Sequence, residues 1–283
     1  MGARVSALRL FGLLTCPGCG TSPQPHHDLC PGCGRTVINS SGGLDLLDDD
    51  SRAEADRFAV QYRALRMREG WADSSGREDP EGGQAQLWKG RLRSMSEAAA
   101  VLDREGHARS RPVVADVGSG GGWAARLLMS ADVIAFDLLD VTASSAALSV
   151  RATIRRLPLR DATVDAILYA ASLHYSPVAE AVSEAARVLR AGGLMVAIDS
   201  PIYRDASAQQ RAAARTAAYY ASAGCPMLSD HYHPINVAEL RSALIDSGFE
   251  IEQLNVRQPT WWPRRFLGPK SPASLVVARR RLR

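Results

Sequence analysis

The chain has 283 residues, of which 46% are hydrophobic and 23% are charged, and its formal net charge is +4. This composition is that of an ordinary globular protein, long enough for one medium α/β domain and a small additional module. The charge is too small to require a nucleic-acid partner. No apolar run approaches the ~18 residues that a membrane span needs, and no cleavable leader is recognisable. We therefore expect a cytoplasmic protein with no membrane partner, as a monomer or a homodimer.

Four of the five cysteines form one pattern near the N-terminus. Cys16 and Cys19 flank a Pro-Gly pair, and Cys30 and Cys33 repeat the arrangement ten residues later. Each C-P-G-C turn directs two thiolates towards one point, and two such turns supply the four ligands of a tetrahedral Zn²⁺ site. A pair of redox disulfides is the alternative interpretation. We predict a small ribbon with structural zinc over residues 1–45.

Two helical patterns come next, and they predict a helical cap or linker over residues 46–110. The first helix is predicted to begin at a capping box formed by Ser51 and Glu54. The second covers roughly residues 87–105. We expect both helices to lie beside the sheet, near the mouth of a ligand cleft.

A short β-branched strand, residues 113–117, opens into a glycine-rich loop that directly follows Asp116 and Val117. Glycines at alternate positions permit positive φ and let a ligand approach the backbone. A helical pattern begins at Trp123, so strand, loop and helix form the nucleotide-binding turn of a doubly wound α/β sheet. The alternating glycines are Gly118, Gly120 and Gly122.

From residue 111 onwards strand and helix patterns alternate, which predicts a seven-stranded, mostly parallel sheet with helices on both faces, an α/β Rossmann-like fold. After the glycine loop the predicted elements are strand 133–137, helix 142–151, a short strand near Thr153, strand 164–169, a helix from Ser176-Pro177 to Arg190, strand 194–198, helix 205–223, a helix capped by Asn236, and strands 249–256 and 274–278.

Four stretches, in order, resemble class I S-adenosylmethionine (SAM) methyltransferases with a type 11-like domain. They are D-V-G-S-G-G-G at 116–122, L-P-L-R-D-A-T-V-D at 157–165, A-S-L-H-Y at 171–175 and R-V-L-R-A-G-G-L at 187–194. The resemblance implies a methyltransferase domain over residues 111–283, with a substrate-lid insertion at about 201–235. The layout, with its N-terminal cysteine module, is also similar to that of zinc-containing rRNA guanine methyltransferases.

The resemblance also implies a SAM site at the loop. Asp116 and the loop amides would hold the amino-acid end, Asp137 the ribose hydroxyls, and Leu138 the adenine. Thr153 replaces the family's usual Asp at the adenine amino group, so that either its hydroxyl or the Ile154 backbone makes this contact. The implied cofactor-binding residues are Tyr62, Asp116, Gly118, Ser119, Gly120, Gly122, Asp137, Leu138, Thr153, Ile154 and Ala171.

Three histidines are candidates for a general base, should the methyl acceptor have to lose a proton: His174, His231 and His233. A purely structural role is the alternative for each of them. Tyr62 has two interpretations as well, because it could close over SAM or pack the cap against the sheet.

The segments after the predicted strand 164–169 resemble small-molecule methyltransferases more than RNA methyltransferases, so we predict a small-molecule acceptor that is methylated by in-line displacement. One alternative is methylation of an rRNA or tRNA base, with the zinc ribbon recognising RNA. The other is a non-catalytic zinc protein that binds SAM without turnover.

Overall fold

The computed structural model describes residues 9–38, 43–73, 78, 80, 85–105, 111–140, 147–257 and 273–282. The α-helices among them are α1 Asp49–Arg68, α2 Ala85–Glu105, α3 Val178–Val188, α4 Ala206–Ser222 and α5 Val237–Asp246. The strands are β1 Leu44–Asp45, β2 Val113–Val117, β3 Asp132–Asp137, β4 Leu148–Arg151, β5 Val164–Ala170, β6 Leu189–Ile198, β7 Ile202–Tyr203, β8 Ile235–Asn236, β9 Phe249–Arg257 and β10 Ala273–Arg280.

Eight of these strands form one sheet in the order β1-β4-β3-β2-β5-β6-β10-β9. The first six are mutually parallel, whereas β10 runs antiparallel to β6 and β9 antiparallel to β10. Buried side chains pack on both faces of the sheet, so the predicted α/β layering is confirmed. The strand order reverses between β2 and β5, where open α/β sheets place their ligands beyond the carboxyl ends of the strands.

The eighth strand, β1, was not among the seven predicted. Leu44 and Asp45 pair in parallel with Val150 and Arg151 at the edge of the sheet. This strand is only two residues long, too short to give a periodic signal in the sequence. It attaches the segment after the cysteine turns to the sheet.

The predicted helix 142–151 is wrong in its second half, where β4 forms instead. β4 pairs with β3 on one side and β1 on the other, and Val150 is fully buried. Pairing on both sides outweighs the weak local preference for helix. Residues 142–146 lie outside the described part, and Thr153 follows this strand rather than belonging to it. The helix predicted from Trp123 is also wrong, because a 3₁₀ turn, Ala124–Leu127, forms there.

Three predicted helix ends differ from the structure. α1 is capped by Asp48, whose carboxylate accepts from Ser51 N, so the predicted capping box is wrong. α3 begins at Val178 and has no side-chain cap. It ends at Val188, before the predicted end at Arg190, because β6 begins at once and continues through Gly192 and Gly193. A Cβ on Gly193 would come within 2.9 Å of Asp165 O, so close strand packing explains this glycine.

The cysteine segment packs directly against the sheet. Thr15 N donates to Pro158 O at 2.9 Å, and Leu14 pairs with Leu159 in an antiparallel bridge. Cys16 and Cys30 are buried in the same apolar cluster as β3 and β4. The predicted boundaries 1–45, 46–110 and 111–283 therefore divide segments that share a core. In the described part of the chain, no helix combines the length and apolarity needed to cross a membrane.

Candidate functional site

A cavity of about 560 Å³ lies beyond the carboxyl ends of β2 and β5, at the reversal of strand order. Its volume is within the range of ~300–1,000 Å³ that ligand sites in proteins occupy. The sheet and the glycine loop form its floor, and side chains of α1, α2 and α4 cover it. Its lining includes Phe58, Tyr62, Arg66, Glu69, Trp71, Glu78, Arg91, Gly118, Gly120, Trp123, Asp137, Leu138, Ile154, Ala171, His174, Tyr175, Tyr219, Tyr220, His231 and Tyr232.

The loop after β2 needs glycine for two physical reasons. Gly118, Gly120 and Gly122 all have positive φ, between 54° and 71°, which side-chain-bearing residues rarely adopt. A Cβ on Gly118 would lie 2.3 Å from Ser172 Cβ. The loop is held to β3, since Gly118 N and Ser119 N both donate to Phe136 O. Its backbone therefore lies open to the cavity.

Asp137 ends β3 and lines the cavity beside the loop. Its Oδ2 accepts from Gly120 N at 2.7 Å and its Oδ1 from Leu139 N at 2.8 Å. Burial raises the pKa of this carboxyl to about 6, and the two amides act in the opposite direction. Each oxygen keeps acceptor capacity for a ligand hydroxyl. Leu138 and Ile154 add an apolar wall next to it.

Asp116 lies in β2 beneath the loop and is fully buried. Neither of its carboxylate oxygens has a hydrogen-bond partner among the described residues. Burial raises the pKa of this carboxyl to about 7, and the nearby Asp137 and Glu78 raise it further. A buried carboxylate without a partner is costly. It fits a ligand that brings a cationic donor, as the α-ammonium group of SAM would.

The structure brings most of the predicted site residues together and leaves five outside the cavity wall. Those in the wall are Tyr62, Gly118, Gly120, Asp137, Leu138, Ile154, Ala171, His174 and His231. Those outside it are Asp116, Ser119, Gly122, Thr153 and His233. Thr153 lines a separate groove beside Cys16, and its Oγ1 accepts from Arg156 N at 3.2 Å. This position favours Ile154 over Thr153 for an adenine contact.

Two charged residues of the wall gave no sequence signal. Glu78 comes from an aperiodic stretch, and its Oε2 accepts from Gly121 N at 3.4 Å. Burial raises the pKa of its carboxyl, while Arg91 and Arg66 oppose the shift. Arg91 is one of several cationic residues on α2. Only the fold shows that it faces the loop.

An aromatic chamber forms the other half of the cavity, made by Phe58, Tyr62, Tyr175, Tyr220 and Tyr232. Ring centroids within it are 5.3 Å apart for Phe58–Tyr62, 6.0 Å for Tyr62–Tyr175 and 6.2 Å for Tyr220–Tyr232. The first two residues come from α1, and the last two come from the predicted lid, residues 201–235. Cap and lid thus meet over the end of the sheet and enclose a largely apolar space.

The three histidines have different surroundings. His174 is buried against Tyr175 and Tyr232, and burial, with Arg66 and Arg91 nearby, lowers the pKa of its imidazole to about 3. His231 lies over Phe58 and faces Glu54, with 3.3 Å between Nε2 and Oε1. Burial lowers the pKa of His231 as well.

His233 lies outside the cavity wall. Its backbone N donates to His174 O at 2.7 Å. This hydrogen bond ties the segment that carries His233 to His174, and a general-base role for His233 stays a prediction.

A chain of polar contacts links the lid to the cap above the chamber. Tyr219 of α4 donates to Glu69 Oε1 at 2.5 Å, and Arg66 donates to Glu69 Oε2 and to Tyr175 Oη, at 2.6 and 2.7 Å. Tyr219 is the member contributed by the lid, and the residue as a whole is 43% exposed. The link therefore depends on the hydroxyl of one partly exposed residue.

We expect Tyr219→Phe to raise the KM for the methyl acceptor about two- to fivefold, because one hydrogen bond between lid and cap is lost. SAM affinity should be unchanged. Steady-state kinetics combined with SAM titration checks this, with the exposed Ser222→Ala on the same helix as control. A higher Kd for SAM in Tyr219→Phe would contradict this prediction.

The four cysteines of the N-terminal pattern converge as predicted. Their sulfur atoms all lie within 4.8 Å of one another. The Cys16–Cys33 and Cys19–Cys30 sulfur pairs are 3.7 and 3.6 Å apart. Four thiolates at ~2.3 Å from a tetrahedral Zn²⁺ would have sulfurs roughly 3.8 Å apart. The cluster therefore fits zinc, and separations of this length are not disulfide bonds.

Comparisons with known proteins agree with this geometry. Residues 115–197 match the family model of a methyltransferase domain. A candidate sarcosine dimethylglycine methyltransferase from Galdieria sulphuraria is 18% identical with a TM-score of 0.52, over 67% of this chain and 86% of its own. A candidate methyltransferase from Bacillus halodurans is 19% identical with a TM-score of 0.51, over 65% and 99%.

Geranyl diphosphate methyltransferase in complex with SAM is 16% identical with a TM-score of 0.53, over 71% of this chain and 92% of its own. A search of curated proteins finds no significant match. At such identities structural likeness shows the fold alone. The family match covers the glycine loop and the acid of β3, which line the cavity, and the turn into β6, which lies outside it. Residues 115–197 are therefore similar to a methyltransferase domain, and the fold of the chain is like that of solved methyltransferase structures.

Proposed function

We propose that this protein transfers the methyl group of SAM to a small molecule bound in the aromatic chamber. The observation that carries the proposal is the continuity of the cavity. One end consists of the glycine loop with its acidic residues, and the other end is the aromatic chamber beneath cap and lid. A donor and an acceptor held in one enclosed space can react in line.

The residues at the loop end fit SAM group by group. Asp116, which has no partner among the described residues, suits the ammonium group. Asp137 has acceptor capacity for the ribose diol, and Leu138 with Ile154 offers an apolar slot for adenine. Tyr62 lines the same cavity from the aromatic chamber, where its ring lies 6.0 Å from the Tyr175 ring.

Bound SAM supplies an already activated methyl group on a sulfonium. The protein's task is then to align the acceptor and exclude water, and such alignment can account for ~7–11 kcal/mol of a barrier. An imidazole with a pKa near 3 is a poor base at neutral pH. The chamber therefore suits an acceptor whose lone pair is free without deprotonation, such as a neutral amine or an aromatic ring nitrogen. His174 would orient it as a neutral hydrogen-bonding group.

The proposed zinc would be structural, because four thiolates leave no open coordination position for a substrate. The chamber is small and largely apolar, whereas an RNA substrate needs a cationic surface for its phosphates.

Radiolabelled methyl transfer from SAM into small-molecule and RNA fractions of a cell extract tests the proposal. We expect label in the small-molecule fraction. Label in RNA, with binding that weakens steeply with salt, would support the RNA alternative instead. SAM binding without any transfer would support the non-catalytic alternative.

His174 gives a pH prediction for the same reaction. Because its pKa is lowered to about 3, the imidazole stays neutral from pH 6 to 9, and kcat at saturating SAM should show no titration of this group. His174→Phe should lower kcat about fivefold to tenfold through lost orientation, with an equally flat profile. The exposed His27→Ala serves as control. A wild-type limb near pH 6–7 that disappears in His174→Phe would identify a general base instead.

A further inference from the structure

Two arginines line the cavity, and they differ in their partners. Arg66 already has partners within the protein, because its guanidinium donates to Glu69 at 2.6 Å and to Tyr175 at 2.7 Å. Arg91 makes no hydrogen bond or ion pair with any residue in the described part of the chain. It nevertheless lines the same cavity as Gly118 and Gly120.

A stack of tryptophans holds Arg91 in place. Its Cζ lies 4.1 Å from the centre of the Trp71 ring and 5.5 Å from that of Trp88. Trp88 is fully buried and contacts both Trp71 and Trp123, with centroids 5.5 and 5.2 Å apart. A guanidinium lying on an aromatic ring keeps its edge N–H groups available for an anion.

The stack also ties Arg91 to the glycine loop. Trp123 directly follows Gly122, the last glycine of that loop, and Trp88 precedes Arg91 by three residues on α2. Residues three apart on a helix share one face. Contact between Trp88 and Trp123 therefore places Arg91 beside the amides of the loop.

The charges at this end of the cavity require a cation if the ligand carries a carboxylate. Asp137 and Glu78 both add to the rise that burial causes in the pKa of Asp116, and Glu78 adds to the rise in the pKa of Asp137. The Glu78 carboxylate accepts from Gly121 N at 3.4 Å and shares the cavity wall with Arg91, which opposes the rise that burial causes in the pKa of Glu78. A carboxylate thus lies against a loop amide in the part of the cavity that Arg91 also lines.

We propose that Arg91 binds the methionine carboxylate of SAM, which takes the position that Glu78 occupies here. Asp116 then receives the ammonium group on the other side of the same carbon. This inference rests on the proposed function, and it names the residue that distinguishes intact SAM from forms that lack the carboxylate. Guanidinium and carboxylate match as a two-pronged, charge-assisted pair.

Calorimetric titration with SAM and with decarboxylated SAM, which keeps the adenosine, sulfonium and amine, tests the proposal. We expect Arg91→Ala to weaken SAM binding about tenfold or more and to change the affinity for decarboxylated SAM less than about twofold. The SAM affinity of Arg91→Lys should lie between those of the wild type and Arg91→Ala, because lysine keeps the charge but lacks the planar guanidinium. The exposed Arg93→Ala on the same helix should match the wild type.

Equal weakening of both ligands would overturn the proposal, because Arg91 would then only support the tryptophan stack. Unchanged SAM affinity in Arg91→Ala would overturn it as well. Thermal unfolding of each variant shows whether the stack is intact. The wild-type titration tests the proposed function itself, which fails if the wild type binds neither ligand.

Discussion

Replacing Asp116 by asparagine is expected to lower SAM affinity about 10- to 100-fold and, at the same time, to make the ligand-free protein more stable. The affinity falls because the ammonium group loses its charged partner, and a charge-assisted hydrogen bond contributes about 1.5–3 kcal/mol. The stability rises because Asp116 is fully buried and lacks any partner in the described part of the chain. Asparagine keeps the shape and removes the charge.

The sign of the pH dependence follows from the direction of the pKa shift. Asp116 titrates near pH 7 in the folded protein, above its ordinary value of 3.8, so the folded state holds its proton more tightly than the unfolded state. This residue therefore reduces the stability of the ligand-free protein as pH rises from about 4 to 7, by on the order of 2–4 kcal/mol. The advantage of Asp116→Asn should be largest at pH 8 and shrink towards pH 4.

Binding of the SAM ammonium group should reverse the preference of the Asp116 carboxyl for its proton. SAM favours the ionised carboxylate, so wild-type affinity should rise between pH 5 and 7 and then level off, whereas the variant should show little of this dependence. Thermal unfolding with and without SAM at several pH values measures both effects, with the exposed Asp246→Asn as control. An Asp116→Asn protein that is less stable at pH 8 and binds SAM normally would show that the carboxylate has a partner in the protein.

Local motifs made the glycine-loop end of the cavity predictable. The alternating glycines after a β-branched strand can be recognised from a few consecutive residues. The same holds for Asp137 at the end of the next strand and for the two C-P-G-C turns. Each encodes its own backbone geometry: the positive φ values of Gly118, Gly120 and Gly122 are properties of the loop itself. Such features can be recognised without knowing the rest of the fold.

The rest of the cavity wall depends on contacts between distant segments, and the sequence does not encode these locally. Tyr219 meets Glu69 across 150 positions, and Arg91 reaches the loop only through the packing of Trp88 on Trp123. The same limit explains β4: it is a strand because β1 and β3 pair with it on both sides. Sequence periodicity does not predict a strand that forms only because distant strands pair with it.

The way the zinc ribbon joins the sheet leads to the second large expected effect. Leu14, Cys16 and Cys30 share one buried cluster with Val150 of β4. Leu46 N donates to Arg151 O at 3.0 Å, and the buried Arg151 pairs with Asp45, in the strand that follows the ribbon, and with Asp56 of α1. Loss of the ribbon would expose this edge of the sheet. The chain continues from Arg151 to Ile154, which lies in the wall of the proposed adenine site.

Removing zinc, by chelation or by Cys30→Ser, is therefore expected to destabilise the whole methyltransferase domain by at least several kcal/mol, because metal binding free energy is folding free energy in such small modules. SAM affinity should fall with it. Metal analysis should find one zinc per wild-type chain. Hydrogen exchange should show β4 losing protection together with the ribbon, while the exposed His27→Ala leaves zinc, stability and SAM binding unchanged. If the zinc-free protein unfolded at the wild-type temperature and bound SAM normally, the ribbon would be a passive attachment to the edge of the sheet.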